Sequence, residues 1–218
     1  MPPSRVSSPS ALRPWAGTGD EGSSGRGLRP VPAPTVVLAD THIPRRAKGL
    51  PEGLAPHLRE AGLILHAGDL LEASVIEELS GYAPVRAVKG NVDGPGVDLP
   101  EVLRFEVGGV PVAMIHDSGA KKGRRGRMGR RFPGARVVVF GHSHIPLLED
   151  EDGLMLLNPG SPTDRRRQPE HTFALLWAGR AGCAPRCARS GERCCWRRGR
   201  SSGRGIRSGT ASWVSLAT

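Results

Sequence analysis

Val137-Val138-Val139-Phe140-Gly141-His142-Ser143-His144 decides how the rest of this 218-residue chain is read. Four consecutive apolar residues mark a buried strand, and the glycine at its end permits a tight bend. His142 and His144 sit two apart. In an extended segment they point the same way, and a turn can fan them toward two neighbouring ions. A histidine pair by itself is weak ground for a metal site, so its companions elsewhere in the chain carry the decision.

The same pattern, an apolar run halted by a polar turn, recurs upstream. Residues 35–39 run into Asp40-Thr41-His42, 63–66 into Gly68-Asp69, and 85–88 into Gly90-Asn91-Val92-Asp93. Between them, Leu50, Leu54 and Leu58 lie four apart with Pro51 near the start, predicting a helix over 50–62. Ala73, Ile76, Glu77 and Leu79 predict a second, short helix over 72–80. Strand–helix alternation of this kind argues for an α/β fold with parallel strands and right-handed crossovers. After residue 101 the rhythm changes. Runs at 102–107 and 110–115 flank Gly108-Gly109, a hairpin signal, and the second run ends at His116-Asp117. Residues 145–149 and 154–157 flank Asp150-Glu151-Asp152-Gly153 as a further hairpin, and 172–177 makes a strand after Asn158-Pro159-Gly160-Ser161. The expected architecture is two packed, mixed sheets with helices outside.

Charge divides the chain into three. Lys and Arg number 31 against 21 Asp and Glu, giving a net charge of +10. Residues 1–34 hold 4 basic and 2 acidic residues and 178–218 hold 9 and 1, leaving 18 of each for the body at 35–177. The basic excess therefore belongs to the ends, which weakens a whole-protein case for a nucleic-acid or membrane partner. Residues 1–34 are rich in Pro, Ser and Gly without an apolar period and are expected to be disordered. No signal-peptide core and no membrane-spanning run is present, so a cytoplasmic location is expected. Residues 178–218 are expected to be a disordered basic tail, leaving the edge of the last strand unpaired. Cys183, Cys187, Cys194 and Cys195 follow no standard zinc spacing, and no histidine accompanies them. The composition of this tail is also what a shifted reading frame in a GC-rich gene would give.

Seven side chains stand just past the carboxyl ends of apolar runs: Asp40, His42, Asp69, Asn91, His116, His142 and His144. In α/β sheets ligands gather at that edge. Each residue alone reads as an ordinary polar turn, but seven in order do not. An oxygen and nitrogen donor set without thiolate suits divalent manganese, iron, zinc or nickel.

Asp40-x-His42, Gly68-Asp69, Gly90-Asn91-x-Asp93, His116 and Gly141-His142-x-His144 resemble, in order, the five motifs of calcineurin-like metallophosphoesterases. The short spacing and Asn158-Pro159-Gly160-Ser161 resemble the small bacterial and archaeal phosphodiesterases of the YfcE type. That resemblance implies a two-sheet αββα sandwich over about 36–177 and a site for two divalent ions, manganese first, with iron, zinc, nickel or magnesium as alternatives. It implies that Asp40, His42, Asp69 and His144 hold one ion, and Asn91, His116, His142 and the bridging Asp69 the other. Asp69, Asn91, Asp93 and His116 are the residues it implies for hydrolysis, with Asp93 orienting the loop that presents Asn91. The implied reaction is attack of a shared water or hydroxide on a small phosphoester, most readily a diester.

Two positions depart from the family pattern. Larger relatives carry a histidine after the asparagine, where this chain has Val92, which cannot protonate a leaving group; His66 or His171 would be the substitutes to consider. The histidine-glycine-histidine of the fourth motif reads His116-Asp117-Ser118. Lys121, Lys122, Arg124, Arg125, Arg127, Arg130 and Arg131 read as a solvated helix face, with a grip on nucleic acid as the alternative. Arg165, Arg166 and Arg167 read either as a solvated turn or as a contact to substrate phosphate. The other functional class is a non-catalytic scaffold, as the retromer subunit of this fold resembles, and the complete ligand set favours the enzyme.

Overall fold

The computed structural model describes residues 33–177 and the backbone of 210–216. Two five-stranded sheets face each other. The first contains β1 (Thr35–Leu38), β2 (Leu63–His66), β3 (Val85–Ala87), β9 (His171–Trp177) and β10 (Thr210–Leu216), in the order β10-β9-β1-β2-β3. β1, β2 and β3 are parallel, whereas β9 and β10 are antiparallel additions. The second contains β4 (Val102–Val107), β5 (Val110–Ile115), β6 (Val137–Val139), β7 (Leu147–Glu151) and β8 (Leu154–Asn158), in the order β4-β5-β6-β8-β7. Its three inner strands are parallel and its two edges antiparallel, so both sheets are mixed as the sequence implies.

Continuous apolar runs are needed here because each sheet is covered on both faces. Val37, Ala39, Leu65, Met114, Val137, Val139 and Leu157 fill the space between the sheets. The alternate residues Val36, Leu38 and Ile64 turn outward under α1 (Ala55–Glu60) and α2 (Ser74–Ser80), meeting Leu54, Leu58, Val75 and Leu79. On the other sheet Ala113, Val138, Phe140 and Leu156 pack under α3 (Arg124–Arg131) through Met128 and Phe132. Each fully buried Val or Leu stabilises the fold by about 1.5–3 kcal/mol, so the three layers hold one another in place.

Local departures from the sequence reading are small. The helix expected over 50–62 is a 3-10 turn (Glu52–Leu54) leading into α1, whose start is set by Pro56 in its first turn. The second hairpin turns on Asp152 and Gly153 alone, both with positive φ, so Asp150 and Glu151 belong to β7. The larger correction concerns the tail. Thr210–Leu216 pairs antiparallel with β9 over seven residues, from Thr210 opposite Trp177 to Leu216 opposite His171. The β9 edge expected to be unpaired is thus hydrogen-bonded. The physical reason is that β9 presents unmet backbone groups, and a short alternating segment can satisfy them from anywhere in the chain. The rest of the expected tail, its four cysteines and nearly all of 1–34 lie outside the described residues.

The arginine-rich stretch is used largely by the protein itself. Arg127 donates to the carbonyls of Ser118 and Ala120 at 2.8 and 2.6 Å, and Arg125 to those of Leu154 and Glu151 at 2.7 and 2.9 Å. Arg124 lies 4.9 Å from the Phe140 ring centroid. Lys121, Lys122, Arg130 and Arg131 remain exposed. Among the described residues no helix is long and apolar enough to cross a membrane.

Candidate metal centre

The parallel strands of both sheets end on one side of the sandwich, and their connecting turns bring together all seven side chains singled out from sequence. β1 delivers Asp40 and His42, β2 Asp69, β3 Asn91, β5 His116 and β6 His142 and His144. Five of these residues, Asp40, His42, Asp69, His142 and His144, hold left-handed backbone with φ between 47° and 68°. Such a conformation costs a non-glycine residue about 1 kcal/mol, so the surrounding structure must enforce it. Backbone bonds between turns do so: Asp40 N–H to Gly68 O, His42 N–H to Asp69 O and Gly141 N–H to His116 O, each 2.9 Å. Two glycines are required by contact. A Cβ on Gly90 would lie 2.1 Å from Asp69 Oδ1, and one on Gly141 would lie 2.8 Å from the Cβ of Ala39.

The side chains converge as acceptors. His116 donates from Nδ1 to the carbonyl of Ala67 at 2.7 Å, which leaves the lone pair on Nε2 facing inward. That Nε2 lies 2.9 Å from Asn91 Oδ1 and 3.3 Å from Asp69 Oδ1. Asn91 Oδ1 is also 2.9 Å from His142 Nδ1. On the other side, His144 Nδ1 donates to the carbonyl of Asp164, so its Nε2 lone pair points at His42 Nε2, 3.2 Å away, and lies 3.5 Å from Asp40 Oδ1. Asp69 directs Oδ2 toward His42 at 3.7 Å and Oδ1 toward His116, one oxygen to each half. Asp40 Oδ1 accepts the backbone N–H of His142 at 3.0 Å, while its Oδ2 is buried with no hydrogen-bond partner. Two trios, Asp40–His42–His144 and Asp40–Asp69–His116, bring ligand atoms within 4.8 Å of one another. The sequence reading gives the bridge to Asp69; geometrically Asp40 is common to both trios.

Titration shows the same frustration. Burial pushes the Asp40 carboxyl up to about 7, and pushes the His144 imidazole down to about 4 and His42 down as well. Burial acts against the charged forms of Asp69 and His116 too, but their mutual hydrogen bond and attraction outweigh it, so Asp69 is lowered and His116 raised. A buried group of lone pairs with an orphaned carboxylate oxygen is electrostatically unfavourable by itself and becomes favourable around cations. The donor set therefore fits divalent metal ions. Asn91 and His142 are exposed, and they form the open rim of an otherwise buried cluster.

Supporting residues were partly legible. Asp93 accepts the backbone N–H of Gly90, Leu71 and Asp69 at 2.6, 2.8 and 3.2 Å, tying the Asp69 and Asn91 turns together. Asn158 donates to Gly141 O at 2.8 Å and Ser161 Oγ to Asp40 O at 2.8 Å, so the Asn-Pro-Gly-Ser segment anchors two ligand turns. Asp164, whose carbonyl orients His144, escaped the sequence reading, because a backbone acceptor leaves no mark in residue type. His66 is corrected as a substitute proton donor. It is fully buried, its Nδ1 accepts Gly68 N–H at 3.3 Å, its Nε2 contacts Thr41 Oγ1 at 3.2 Å, and burial pushes it down to about 3.

This fold and this donor cluster define a phosphoester-cleaving metalloprotein class. Residues 35–179 match the model of the calcineurin-like phosphoesterase superfamily domain, and the chain belongs to that superfamily. A probable metallophosphoesterase of Methanothermobacter thermautotrophicus is 40% identical over 132 residues, covering 58% of this chain and 76% of that protein. The solved structure of vacuolar protein sorting 29 from Cryptosporidium parvum is similar with a TM-score of 0.59 and 23% identity, covering 66% of this chain and 83% of that one. A novel archaeal phosphodiesterase structure is similar with a TM-score of 0.52 and 18% identity, covering 66% and 92%. These two likenesses concern the fold.

Proposed function

We propose that the protein is a dinuclear, divalent-metal-dependent phosphodiesterase acting on a small phosphoester, with manganese the first metal to test. The observation that carries this reading is the convergence of lone pairs described above, with Asp69 aiming one oxygen at each half and Asp40 Oδ2 left without a partner. Asp40, His42, Asp69 and His144 would hold one ion, and Asp69, Asn91, His116 and His142 the other. Two such ions supply an activated water as nucleophile and neutralise charge on the phosphoryl oxygens.

The remaining work falls to the chain. His116 and His144 are locked by the carbonyls of Ala67 and Asp164 into the tautomer that keeps Nε2 available for a ligand bond. Asp93 fixes the Asn91 turn through three backbone bonds, which keeps the exposed rim at a set distance from Asp69. Val92, next to Asn91 and 39% exposed, faces the rim without a proton to give. With His66 buried and neutral, a leaving oxygen departs as an anion or takes its proton from solvent. Esters with acidic leaving groups are therefore the favoured substrates.

The scaffold reading has the fold likeness to vacuolar protein sorting 29 behind it, and the assembled donor cluster favours the enzyme. A metal-by-substrate activity screen on the purified protein, paired with metal analysis, tests the proposal. Asp69→Asn should lose most bound metal and nearly all hydrolysis, whereas Asn91→Ala should mainly loosen one ion. Two ions per chain in Asp69→Asn together with wild-type turnover would refute it.

A further inference from the structure

Three arginines follow the Asn-Pro-Gly-Ser segment, and the structure separates them. Arg165 donates from Nη1 to the carbonyl of Gln168 at 2.7 Å and is thereby committed to its own loop. The neighbouring cation on the β1 side, Arg46, is paired with Asp164 at 3.2 Å. Arg166 differs from both. It is exposed, and none of the hydrogen bonds or ion pairs among the described residues uses its side chain. Its backbone takes the left-handed conformation, φ 50°, held by its N–H to Asp164 Oδ1 at 3.4 Å. Asp164 is also the residue whose carbonyl fixes His144, so the turn that strains Arg166 is bonded directly to a ligand.

Resting on the metal-site reading above, we propose that Arg166 is a substrate-binding residue that grips the phosphoryl oxygens from the His42–His144 side of the cluster. Its planar fork suits two non-bridging oxygens at once, and a strained, unpaired arginine beside an anion site is ill explained as a solvated turn. The field of Arg166 supports the placement. It acts on Asp40, His42 and His144, lowering all three, while the leading influences on Asp69 and His116 come from other groups. Arg167, exposed like Arg166, is not among the leading influences on any of these ligands.

A cation at this place has opposite effects on two ligands: it attracts phosphate and repels a metal ion. The test titrates the full-length chain with Mn²⁺, and then the Mn²⁺-loaded chain with inorganic phosphate, by calorimetry. Arg166→Gln should weaken phosphate binding roughly 10–100-fold, the worth of a charge-assisted bond. Mn²⁺ binding should be unchanged or up to about fivefold tighter, because a nearby like charge is gone. Arg166→Lys should fall between wild type and Arg166→Gln for phosphate, and Arg167→Gln should match wild type for both ligands. Unchanged phosphate affinity in Arg166→Gln overturns the inference, and so does a loss of phosphate and Mn²⁺ affinity together, which marks a structural role. A wild-type chain that binds Mn²⁺ while Arg166→Gln leaves phosphate untouched removes this inference alone. A wild-type chain that binds no Mn²⁺ removes the metal-site reading and this one with it.

Discussion

Asp40→Asn isolates the electrostatic tension of the centre. In the metal-free fold Asp40 is fully buried, one carboxylate oxygen accepts a single backbone N–H and the other has no partner. Burial raises its pKa from 3.8 to about 7. A carboxyl raised in this way keeps its proton in the folded protein where the unfolded chain has released it. Folding stability contributed by this group therefore falls as pH rises from about 4 to about 7, and the full penalty is present above that window. Three units correspond to about 4 kcal/mol, and local relaxation reduces this to about 2–4 kcal/mol. Asparagine stays neutral throughout. In chelator, Asp40→Asn should exceed wild type in stability by about that amount at pH 8, and the gap should close toward pH 4. Saturating divalent metal should reverse the order, since wild type gains about 2.7 kcal/mol at a hundredfold excess over Kd and the variant gains little. Urea unfolding at several pH values, with and without Mn²⁺, measures each term. If the chelated variant is less stable than wild type at pH 8, by an amount independent of pH, the reasoning fails.

Asp93→Ala removes the acceptor of three backbone N–H groups and should destabilise the fold by about 1–3 kcal/mol, with activity falling more than stability; equal metal affinity and turnover would contradict its positioning role. Hydrolysis should depend steeply on leaving-group pKa, and Val92→His should raise turnover of alkyl esters by as much as roughly 10²–10⁴-fold while changing aryl esters little. A flat leaving-group series in wild type would point to a proton donor in the existing site. Deleting 210–218 should lower the melting temperature and promote self-association by freeing the β9 edge, without altering the metal affinity of the folded fraction; an unchanged melting curve would show that the β9–β10 pairing contributes nothing.

What the sequence determined was the repetition of one local device. Apolar runs too continuous for a half-exposed sheet, each stopped by Asp, Asn or His, implied parallel strands covered on both faces with donors at their carboxyl ends. Those are properties of short segments, so 35–39, 63–66 and 136–140 could be placed from residue type alone, and all seven donors with them. Tertiary structure decided what depends on partners distant in the chain. The backbone carbonyls of Ala67 and Asp164 that set two histidine tautomers, the fate of Asp40 Oδ2 and the burial that disqualifies His66 carry no residue-type signal. The pairing of Thr210–Leu216 with β9 is of the same kind. Its strand pattern is weak, and it is fixed by an edge formed more than thirty residues earlier in the chain, whose unmet hydrogen bonds exist only once the sheet has assembled.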